Sequence, residues 1–373
     1  MTDRAQRRQT GDALPPPSIG GESVTDSNPP SLSETATAPE HVEALTSSEP
    51  LTAGFGGSAT PVPGAGAATG GARRRIGDRI FGGLASGAAL AVILLVVLIA
   101  TFLIIQSVPA ISADKDNFLT STSWQTDANN LHFGVAPLLY STVMISIIAM
   151  IIAVPIAVGI ALFMTQYAPR RIAKPVAYVI DLLAAIPSII YGIWGVLTFA
   201  PHLDGVQRLL SHIPGPLFSL VQQNKTIFDG GVVLAIMILP IVTAISRDVF
   251  ERTPRANIEA ALALGATKWE MIRMAVLPYG RAGVVSGAML GLGRALGETV
   301  AIYIIVSSVS PPFHFSIFNG GETIASKIAN GSAEFTGGKS TGAYIAAGLV
   351  LFILTFAVNS AARYIVNRKK DFV

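Results

Sequence analysis

The sequence predicts an all-α polytopic membrane protein with six transmembrane helices. Of its 373 residues, 51% are hydrophobic and only 13% are charged, a more apolar composition than that of an ordinary soluble domain. The apolar residues form long runs, and a helix needs about 20 such residues to cross a bilayer. The six runs cover about 80–108, 136–166, 175–200, 230–246, 282–309 and 343–366. Because there are no cysteines, disulfides, thiol catalysis and Cys-ligated metal or iron–sulfur sites are excluded.

Residues 1–72 differ from the rest of the chain in composition. They are rich in Pro, Gly, Ser, Thr and Ala, and Phe55 is their only aromatic residue. Three arginines against eight acidic residues give this segment a net charge of −5. Such a segment cannot bury enough apolar surface to offset its chain entropy. We therefore expect a disordered cytoplasmic tail at 1–72 and a transmembrane domain at 73–373.

Lysine and arginine are distributed unevenly between the two sets of loops. With the N-terminus inside, 17 of them lie in cytoplasmic segments and five in outer segments. Cytoplasmic loops of membrane proteins carry such an excess. The sequence therefore predicts a multi-pass protein of the plasma (inner) membrane with both termini in the cytoplasm. The outer connections, at about 111–135, 201–229 and 310–342, are too short for a domain but could form a docking rim for an external partner.

Helix-breaking and small residues occur inside the predicted spans. Pro155, Pro187 and Pro240 fall within three of them, where neighbouring groups can satisfy the freed carbonyls. In the fifth span, Gly287, Gly291 and Gly293 would let neighbouring helices approach closely.

The fifth span also carries two charges, Arg294 and Glu298, in an otherwise apolar run. A lone charge at this depth costs about 2.5–3.5 kcal/mol on insertion scales, so both side chains should face protein or water. Because they are four residues apart, a continuous helix would place them on one face, where they can pair.

Two interpretations of this pair compete. In one, it is an internal salt bridge that only fixes helix packing. In the other, the guanidinium of Arg294 binds an anion on a translocation path, because its planar fork matches carboxylate or phosphate oxygens, and Glu298 holds Arg294 while the site is empty. The second interpretation is favoured because intramembrane charges so often mark substrate paths.

Residues 247–280 form the longest inner loop after the tail, and their sequence predicts two short helices. Thr253-Pro254 is typical of an N-cap followed by proline at the first helical position. Gly265 would end this helix, and Thr267-Lys-Trp-Glu270 is a capping box that would open the second. Leu277-Pro278 would close the second helix. Such explicit capping favours a rigid docking element over a mere connector.

This loop resembles the EAA loop of ABC importer permeases. The resemblance rests on Glu259-Ala260-Ala261, on Gly265 four residues later, and on Leu277-Pro278. The family commonly has isoleucine two residues before the Leu-Pro, where this chain has Ala275. In the family the loop is the coupling helix that sits in a groove of the ATPase subunit. The resemblance therefore implies ATPase contacts for one set of residues: Glu259, Ala260, Ala261, Gly265, Thr267 and Trp269.

Two further stretches resemble the phosphate-specific transport permeases. They are residues 181–195, which include Ile-Pro187-Ser188-Ile-Ile-Tyr191-Gly, and residues 291–299, Gly-Leu-Gly-Arg-Ala-Leu-Gly-Glu-Thr. The second stretch is closer to the PstC-type subunit than to its PstA-type sister, and the resemblance covers about residues 80–370. It implies the type I ABC importer permease fold. It also implies a PstA-type permease partner, two PstB-type ATPase subunits that bind ATP and Mg²⁺, and an external PstS-type phosphate-binding protein.

The same resemblance places Arg294 and Glu298 on the phosphate path. Three hydroxyl groups could add hydrogen-bond donors there, those of Thr299, Ser188 and Tyr191, although such groups in membrane helices often bond to backbone instead. Asp181 would repel an anion, so we expect it to pair with a nearby basic residue such as Arg170, Arg171 or Lys174.

No catalytic set, metal site or cofactor site is predicted for this chain. It has no Gly-rich Lys-Ser/Thr phosphate loop, so ATP hydrolysis is assigned to a partner, and the five histidines have no metal-ligand spacing. Membrane lipid is an expected partner and nucleic acid is not. The alternatives are a permease for another oxyanion, such as sulfate or molybdate, and a membrane sensor or scaffold for nutrient signalling. An intramembrane enzyme is the weakest alternative.

Overall fold

The computed structural model describes residues 76–127, 130–221, 225–306, 313–335 and 337–368. In these ranges the chain is mainly helical, as predicted, with one short β-hairpin. The predicted tail at 1–72 and the basic residues Arg73–Arg75 lie outside the described residues.

The helices follow one another along the whole described chain. They are α1 (Ile76–Ala113), α2 (Ala136–Leu162), α3 (Arg170–Ala185), α4 (Ser188–Trp194), α5 (Ala200–Leu210), α6 (Ile227–Glu251), α7 (Arg255–Ala263), α8 (Lys268–Met271), α9 (Leu277–Leu296), α10 (Val300–Ile305), α11 (Ile324–Asn330) and α12 (Gly338–Arg368). Short 3₁₀ helices lie at Pro216–Phe218 and Gly331–Glu334.

Two antiparallel strands form the hairpin, β1 (Trp124–Asp127) and β2 (Asn130–Phe133), with Trp124 opposite Phe133. This hairpin was not predicted from the sequence, because each strand is only four residues long. We call the end of the protein that holds the hairpin and residues 313–335 the hairpin end. The end that holds residues 252–276 is the coupling end.

Five helical segments of the described chain are long and apolar enough to cross a membrane. They are Ile80–Ala113, Ala136–Tyr167, Ser188–Leu210, Ile227–Glu251 and Gly338–Tyr364. The predicted fifth span, 282–309, is missing from this set because the helix stops at Leu296 and restarts at Val300. Residues 307–309 of that span lie outside the described residues.

The broken segment nevertheless runs along α6 from end to end. A Cβ built on Gly280 would meet Phe250 near the end of α6, and one on Gly291 would meet Val242 in its middle. Beyond the break, Val306 lies beside Gly230 at the start of α6. The helices α9 and α10 together therefore supply the sixth membrane crossing.

The third predicted span, 175–200, is also divided. The helix α3 ends at Ala185, Ile186 is extended (φ −69°, ψ 128°), and α4 begins at Ser188. Proline disfavours the helical conformation in the residue before it, so Pro187 stops α3 and becomes the N-cap of α4. The prediction that Pro187 lies inside a helix is therefore wrong, whereas Pro155 and Pro240 do lie inside α2 and α6.

Three π-helical turns share one cause. They occupy Phe163–Tyr167, Gly195–Phe199 and Ile272–Val276, and each is followed two residues later by a proline: Pro169, Pro201 and Pro278. In each turn the residue just before the proline donates its N–H to the carbonyl five residues back. Widening the turn in this way accommodates a ring that would clash with the preceding turn of an α-helix.

The most buried span is α6, at the centre of the bundle. In its most apolar window 72% of residues are buried, compared with 33% in α2 and none in α1. Most apolar side chains of α1 are exposed in the isolated chain, although α12 packs against α1 at Ala110 and Gly342.

Glycines let α9 approach α6 closely, as predicted for Gly287 and Gly291. A Cβ on Gly287 would lie 3.1 Å from Ile245 Cβ, and one on Gly291 3.0 Å from Val242 Cγ2. Gly283 is tighter still, because a Cβ there would clash with the side chain of Val249. The prediction is wrong for Gly293, where a Cβ would have nothing within 4 Å, so this glycine faces open space.

We expect Gly283→Ala to lower the thermal unfolding midpoint of the purified protein, because the added methyl group overpacks the contact between α6 and α9. Overpacking of this kind costs about 1–3 kcal/mol. The control is Gly293→Ala, which lies in the same helix with nothing near the new methyl group, and which should leave the midpoint unchanged or raise it. Equal midpoints for the two variants would contradict the packing.

Candidate functional site

The interruption of the fifth span determines where its two charges lie. The helix α9 ends at Leu296, and Glu298 lies in the break before α10. Glu298 is only 9% exposed, and its Oε1 accepts a hydrogen bond of 3.3 Å from the backbone N–H of Ala301. Glu298 therefore caps the first turn of α10.

Arg294 forms no ion pair with Glu298 or with any other described residue. The predicted pairing is wrong, because the four-residue spacing places two side chains on one face only in a continuous helix. The guanidinium of Arg294 is left exposed in the isolated chain. Its five donors are available to an anion.

Arg294 lies near the middle of the membrane-spanning part. Its helix descends along α6, and Gly291 contacts Val242 and Ile238, close to the midpoint of α6. Arg294 is less than one helical turn beyond Gly291. A charge at this depth needs a polar or aqueous environment.

A cavity of about 770 Å³ lies at Arg294, so its guanidinium faces open space and not a packed interior. It is lined by α9, by α6 through Ile241, and by α12 through Asn359, Ala362 and Arg363. Gly293 also lines it, so the open space beside this glycine is part of the cavity. The cavity extends from mid-span towards the coupling end, because Asn359 and Arg363 lie near the end of α12.

Arg363 and Asn359 were not predicted from the sequence to line this cavity. In the sequence, Arg363 stands out only as one of the positive charges that flank a span. The available signal was the four-residue spacing of Asn359 and Arg363, which places two polar side chains on one face near the end of an apolar helix.

The second break, between α3 and α4, lies next to the first. A Cβ on Gly192 of α4 would lie 3.1 Å from Ala301 Cα of α10, so the two restarted helices pack in direct contact. Tyr191 is buried, and it lies close enough to Arg294 to be affected by the charge of the guanidinium. Its hydroxyl donates a 2.8 Å hydrogen bond to the carbonyl of Leu183, which lies near the end of α3.

The remaining predicted path residues are placed as follows. Ser188 is half-buried at the start of α4. The hydroxyl of Thr299 donates to the Gly297 carbonyl at 3.2 Å, within the break. Tyr191 and Thr299 thus both bond to backbone in this state. Asp181 forms no ion pair with a described residue, contrary to expectation.

The loop at 247–280 has the predicted helices with one shifted start. The N-cap of α7 is Pro254, not Thr253, and no side chain caps this helix. Gly265 ends the helix with φ +82°, as predicted, and the N–H groups of Gly265 and Ala266 donate to Leu262 and Ala261. This pair of bonds is a Schellman motif, which satisfies the last carbonyls of α7.

The predicted capping box of α8 is confirmed. Thr267 Oγ1 accepts from the Glu270 N–H at 3.3 Å, and the Thr267 N–H donates to Glu270 Oε2 at 2.8 Å. This backbone hydrogen bond holds the pKa of the Glu270 carboxyl below its usual value. The prediction that Leu277-Pro278 closes this helix is wrong, since α8 continues through the third π-turn into α9.

Some apolar side chains of the loop are exposed to solvent, while others are buried. Leu264 is 89% exposed and Trp269 is 57% exposed, while Ala261 packs into a cluster with Phe250 and Ile272. Glu259 and Ala260 are exposed on α7. A rigid element with a bare apolar surface is suited to contact another protein.

Known proteins share this architecture and parts of this sequence. A family described as the binding-protein-dependent transport system inner membrane component matches residues 153–371. The phosphate transport system permease protein PstC 2 of Mycobacterium tuberculosis is 53% identical over 302 residues, which is 79% of this chain and 93% of the relative. PstC of Mycobacterium leprae is 51% identical over 273 residues, 71% of this chain and 86% of the relative.

A solved structure supports the same fold. The crystal structure of a bacterial alginate ABC transporter, in complex with a periplasmic protein bound to an alginate pentasaccharide, contains a chain with a TM-score of 0.53. The two chains are 16% identical, and the match covers 79% of this chain and 98% of the other. At this identity the likeness shows the fold alone.

The chain is therefore an inner membrane component of a binding-protein-dependent transport system, a multi-pass ABC permease. Within that class, it belongs to the family of phosphate transport system permease proteins PstC. The predicted fold class and the family resemblance are confirmed.

We expect Gly265→Ala to cost about 1 kcal/mol in the stability of the loop, because an L side chain is strained at positive φ. Amide hydrogen exchange in α7 should become about fivefold faster in the purified protein. Gly205→Ala is the control, since this glycine has nothing within 4 Å and no positive φ. Unchanged exchange in the Gly265 variant would contradict the capping role of this residue.

Proposed function

We propose that this chain is the permease subunit of an ATP-driven importer of inorganic phosphate, and that Arg294 holds the anion midway across the membrane. The observation that carries the proposal is a guanidinium near mid-span that has no ion pair among the described residues and lies in a cavity of about 770 Å³. The PstC relatives carry phosphate transport in their names, which supports the choice of anion.

Phosphate is suited to this site for electrostatic reasons. At neutral pH it carries one to two negative charges, so an apolar path without donors would exclude it. A guanidinium offers a permanent charge and two parallel N–H donors to its oxygens. Arg363, in the same cavity and nearer the coupling end, is a second cation that the anion would meet on its way out.

The other path residues take different roles in the proposal. Glu298 fixes the start of α10 rather than holding Arg294, because its carboxylate is bonded to the backbone N–H of Ala301. Tyr191 and Thr299 keep the two breaks in place through their backbone hydrogen bonds, and they can turn to the anion when the helices shift. Ser188 lies at the start of α4 as a further hydroxyl donor.

The partners follow from the same proposal. As part of a binding-protein-dependent system, the chain works with a binding protein, an ATPase and a second permease. We assign these to a PstS-type protein, two PstB-type ATPases that hydrolyse ATP with Mg²⁺, and a PstA-type permease.

The orientation in the membrane follows from the loop charges. The hairpin end faces outward towards the binding protein, and both termini are cytoplasmic, because the coupling end carries most of the Lys and Arg.

Transport then proceeds by alternating access. Closure of the ATPases presses on α7 and α8 and opens the cavity outward, where it receives phosphate. ATP hydrolysis and reopening return it to the inside. The continuous helical path from α8 through the π-turn to α9 links the loop directly to the helix that carries Arg294.

We expect Arg294→Gln to reduce ATP-dependent uptake of radiolabelled phosphate at least tenfold in proteoliposomes containing the whole transporter. Loss of a charge-assisted hydrogen bond costs about 1.5–3 kcal/mol. Arg294→Lys should retain part of the uptake. The control is Arg281→Gln, an arginine on the same helix that does not line this cavity.

Uptake unaffected by Arg294→Gln would contradict the role of this residue. If sulfate or molybdate at equal concentration competed with phosphate as well as unlabelled phosphate does, the substrate assignment would be replaced by another oxyanion.

We expect Leu264→Ser or Trp269→Ser to reduce co-purification of the ATPase subunits, because burial of one such side chain contributes about 1.5–3 kcal/mol to an interface. Leu119→Ser, which is 63% exposed at the hairpin end, is the matched control and should have no effect. Full co-purification with both loop variants would instead favour a scaffold or sensor whose loop does not bind an ATPase.

A further inference from the structure

A second cavity, of about 660 Å³, lies at the coupling end of the protein. It is enclosed by the π-turn that ends α2, the start of α3, the end of α6 and the start of α7. No residue that lines it also lines the cavity of Arg294. The site is therefore separate from the proposed phosphate path.

The lining of this second cavity is strongly basic. Arg170 and Lys174, four residues apart on one face of α3, line it together with Arg255 of α7, and none of the three forms an ion pair with a described residue. A fourth cation, Arg247, lies 3.2 Å from Asp248 and 3.9 Å from Glu251. Glu251 is the one carboxylate among the described lining residues, so their net charge is positive.

Two helices begin at this cavity without a side-chain cap. The N-cap positions of α3 and α7 are Pro169 and Pro254, and neither can accept a hydrogen bond through its side chain. The first N–H groups of both helices, including those of Arg170 and Arg255, are left without the usual partner. Both helix dipoles add positive potential at the same place.

An unsatisfied hydroxyl provides an independent sign of a missing ligand. Thr253 lines the cavity and is only 6% exposed, yet its Oγ1 has no hydrogen-bond partner among the described residues. A buried polar group without a partner is costly and calls for an explanation. This oxygen has almost no accessible surface of its own, so the turn between α6 and α7 must shift slightly before the hydroxyl can donate to an anion in the cavity.

We propose that this cavity binds a phosphate-type anion on the coupling side, either free inorganic phosphate or the headgroup of an anionic lipid. Three cations without ion pairs in the described chain and two uncapped helix starts are the donors that such an anion requires, and the Thr253 hydroxyl joins them once its turn shifts. Because the donors come from α3, from α7 and from the turn between α6 and α7, a bound anion braces the coupling helix against the membrane helices. The site thus connects the anion content of the coupling side to the stiffness of the element that meets the ATPase.

The test uses the complex of permeases and ATPases without the external binding protein, which would itself bind phosphate. This chain carries Arg294→Gln, which removes the proposed path site and leaves this cavity intact. In nanodiscs of phosphatidylcholine alone, binding of radiolabelled inorganic phosphate is titrated. In a second arm without phosphate, the nanodiscs contain phosphatidylcholine and phosphatidylglycerol, and the phosphatidylglycerol retained after detergent extraction is counted by mass spectrometry. Binding in the first arm that depends on Arg170 and Lys174 identifies free phosphate, and retention in the second arm with the same dependence identifies a lipid headgroup.

We expect Arg170→Gln with Lys174→Gln to weaken the observed binding at least about tenfold, because each lost cation removes a charge-assisted contact. The control is Arg171→Gln, an exposed arginine on the same helix that does not line the cavity. Thr253→Val is the second variant. It should weaken binding without lowering the thermal midpoint, because it removes a hydroxyl that has no partner in the described part of the protein.

Three results would overturn the proposal. They are binding in neither arm, an equal loss with Arg171→Gln, and loss of the ATPase subunits from the Arg170/Lys174 variant alone. The last would mean that acidic side chains of the ATPase fill the cavity. Since every measurement is made without Arg294, failure here leaves the proposed transport function untouched, and failure of the transport function leaves this test unaffected.

Discussion

A helix that stops inside a membrane must have its free backbone groups satisfied by the protein, because lipid offers no hydrogen bonds. The chain meets this constraint twice, at two breaks that touch each other. Glu298 supplies an acceptor for the start of α10, and the Tyr191 hydroxyl donates to a carbonyl near the end of α3. The polar groups that look like substrate ligands in the sequence are thus used partly to hold the breaks.

The break at Gly297–Thr299 has a direct consequence for the charges. A continuous helix would bring Arg294 and Glu298 together as a neutral pair. The interruption turns the carboxylate to the backbone of α10 and leaves the guanidinium in the cavity. A single local feature of the backbone therefore converts a structural pair into a free cation near mid-span, as far as the described residues extend.

Most of the fold could be predicted from the sequence, because long apolar runs and loop charges depend on composition over many residues. Helix ends in the loop at 247–280 were also predictable, since Gly265 and the Thr267–Glu270 box act through local chemistry. The two breaks were not predicted. Gly297 and Pro187 permit a break, but a membrane helix tolerates either residue when its neighbours compensate, and those neighbours are distant in sequence.

The candidate site was predicted in part for the same reason. Arg294 stood out because it is a charge in an apolar run, and this signal is local. Arg363 and Asn359 did not, because only the packing of α12 beside α9 brings them to the same cavity. The π-turns before Pro169, Pro201 and Pro278 were not predicted either. Each has a proline two residues after its end, but this common cause became apparent only from the hydrogen bonds in the structure.

In the proposed mechanism, Arg294 acts on the anion and not on Glu298. The most direct measurement is phosphate uptake by the double variant Arg294→Gln with Glu298→Gln, compared with Arg294→Gln alone, in proteoliposomes of the whole transporter. We expect uptake to stay lost in the double variant, because removing the carboxylate does not replace the cation. Recovery of uptake in the double variant would show that Arg294 serves only to neutralise Glu298, and it would contradict a role of Arg294 in binding the anion.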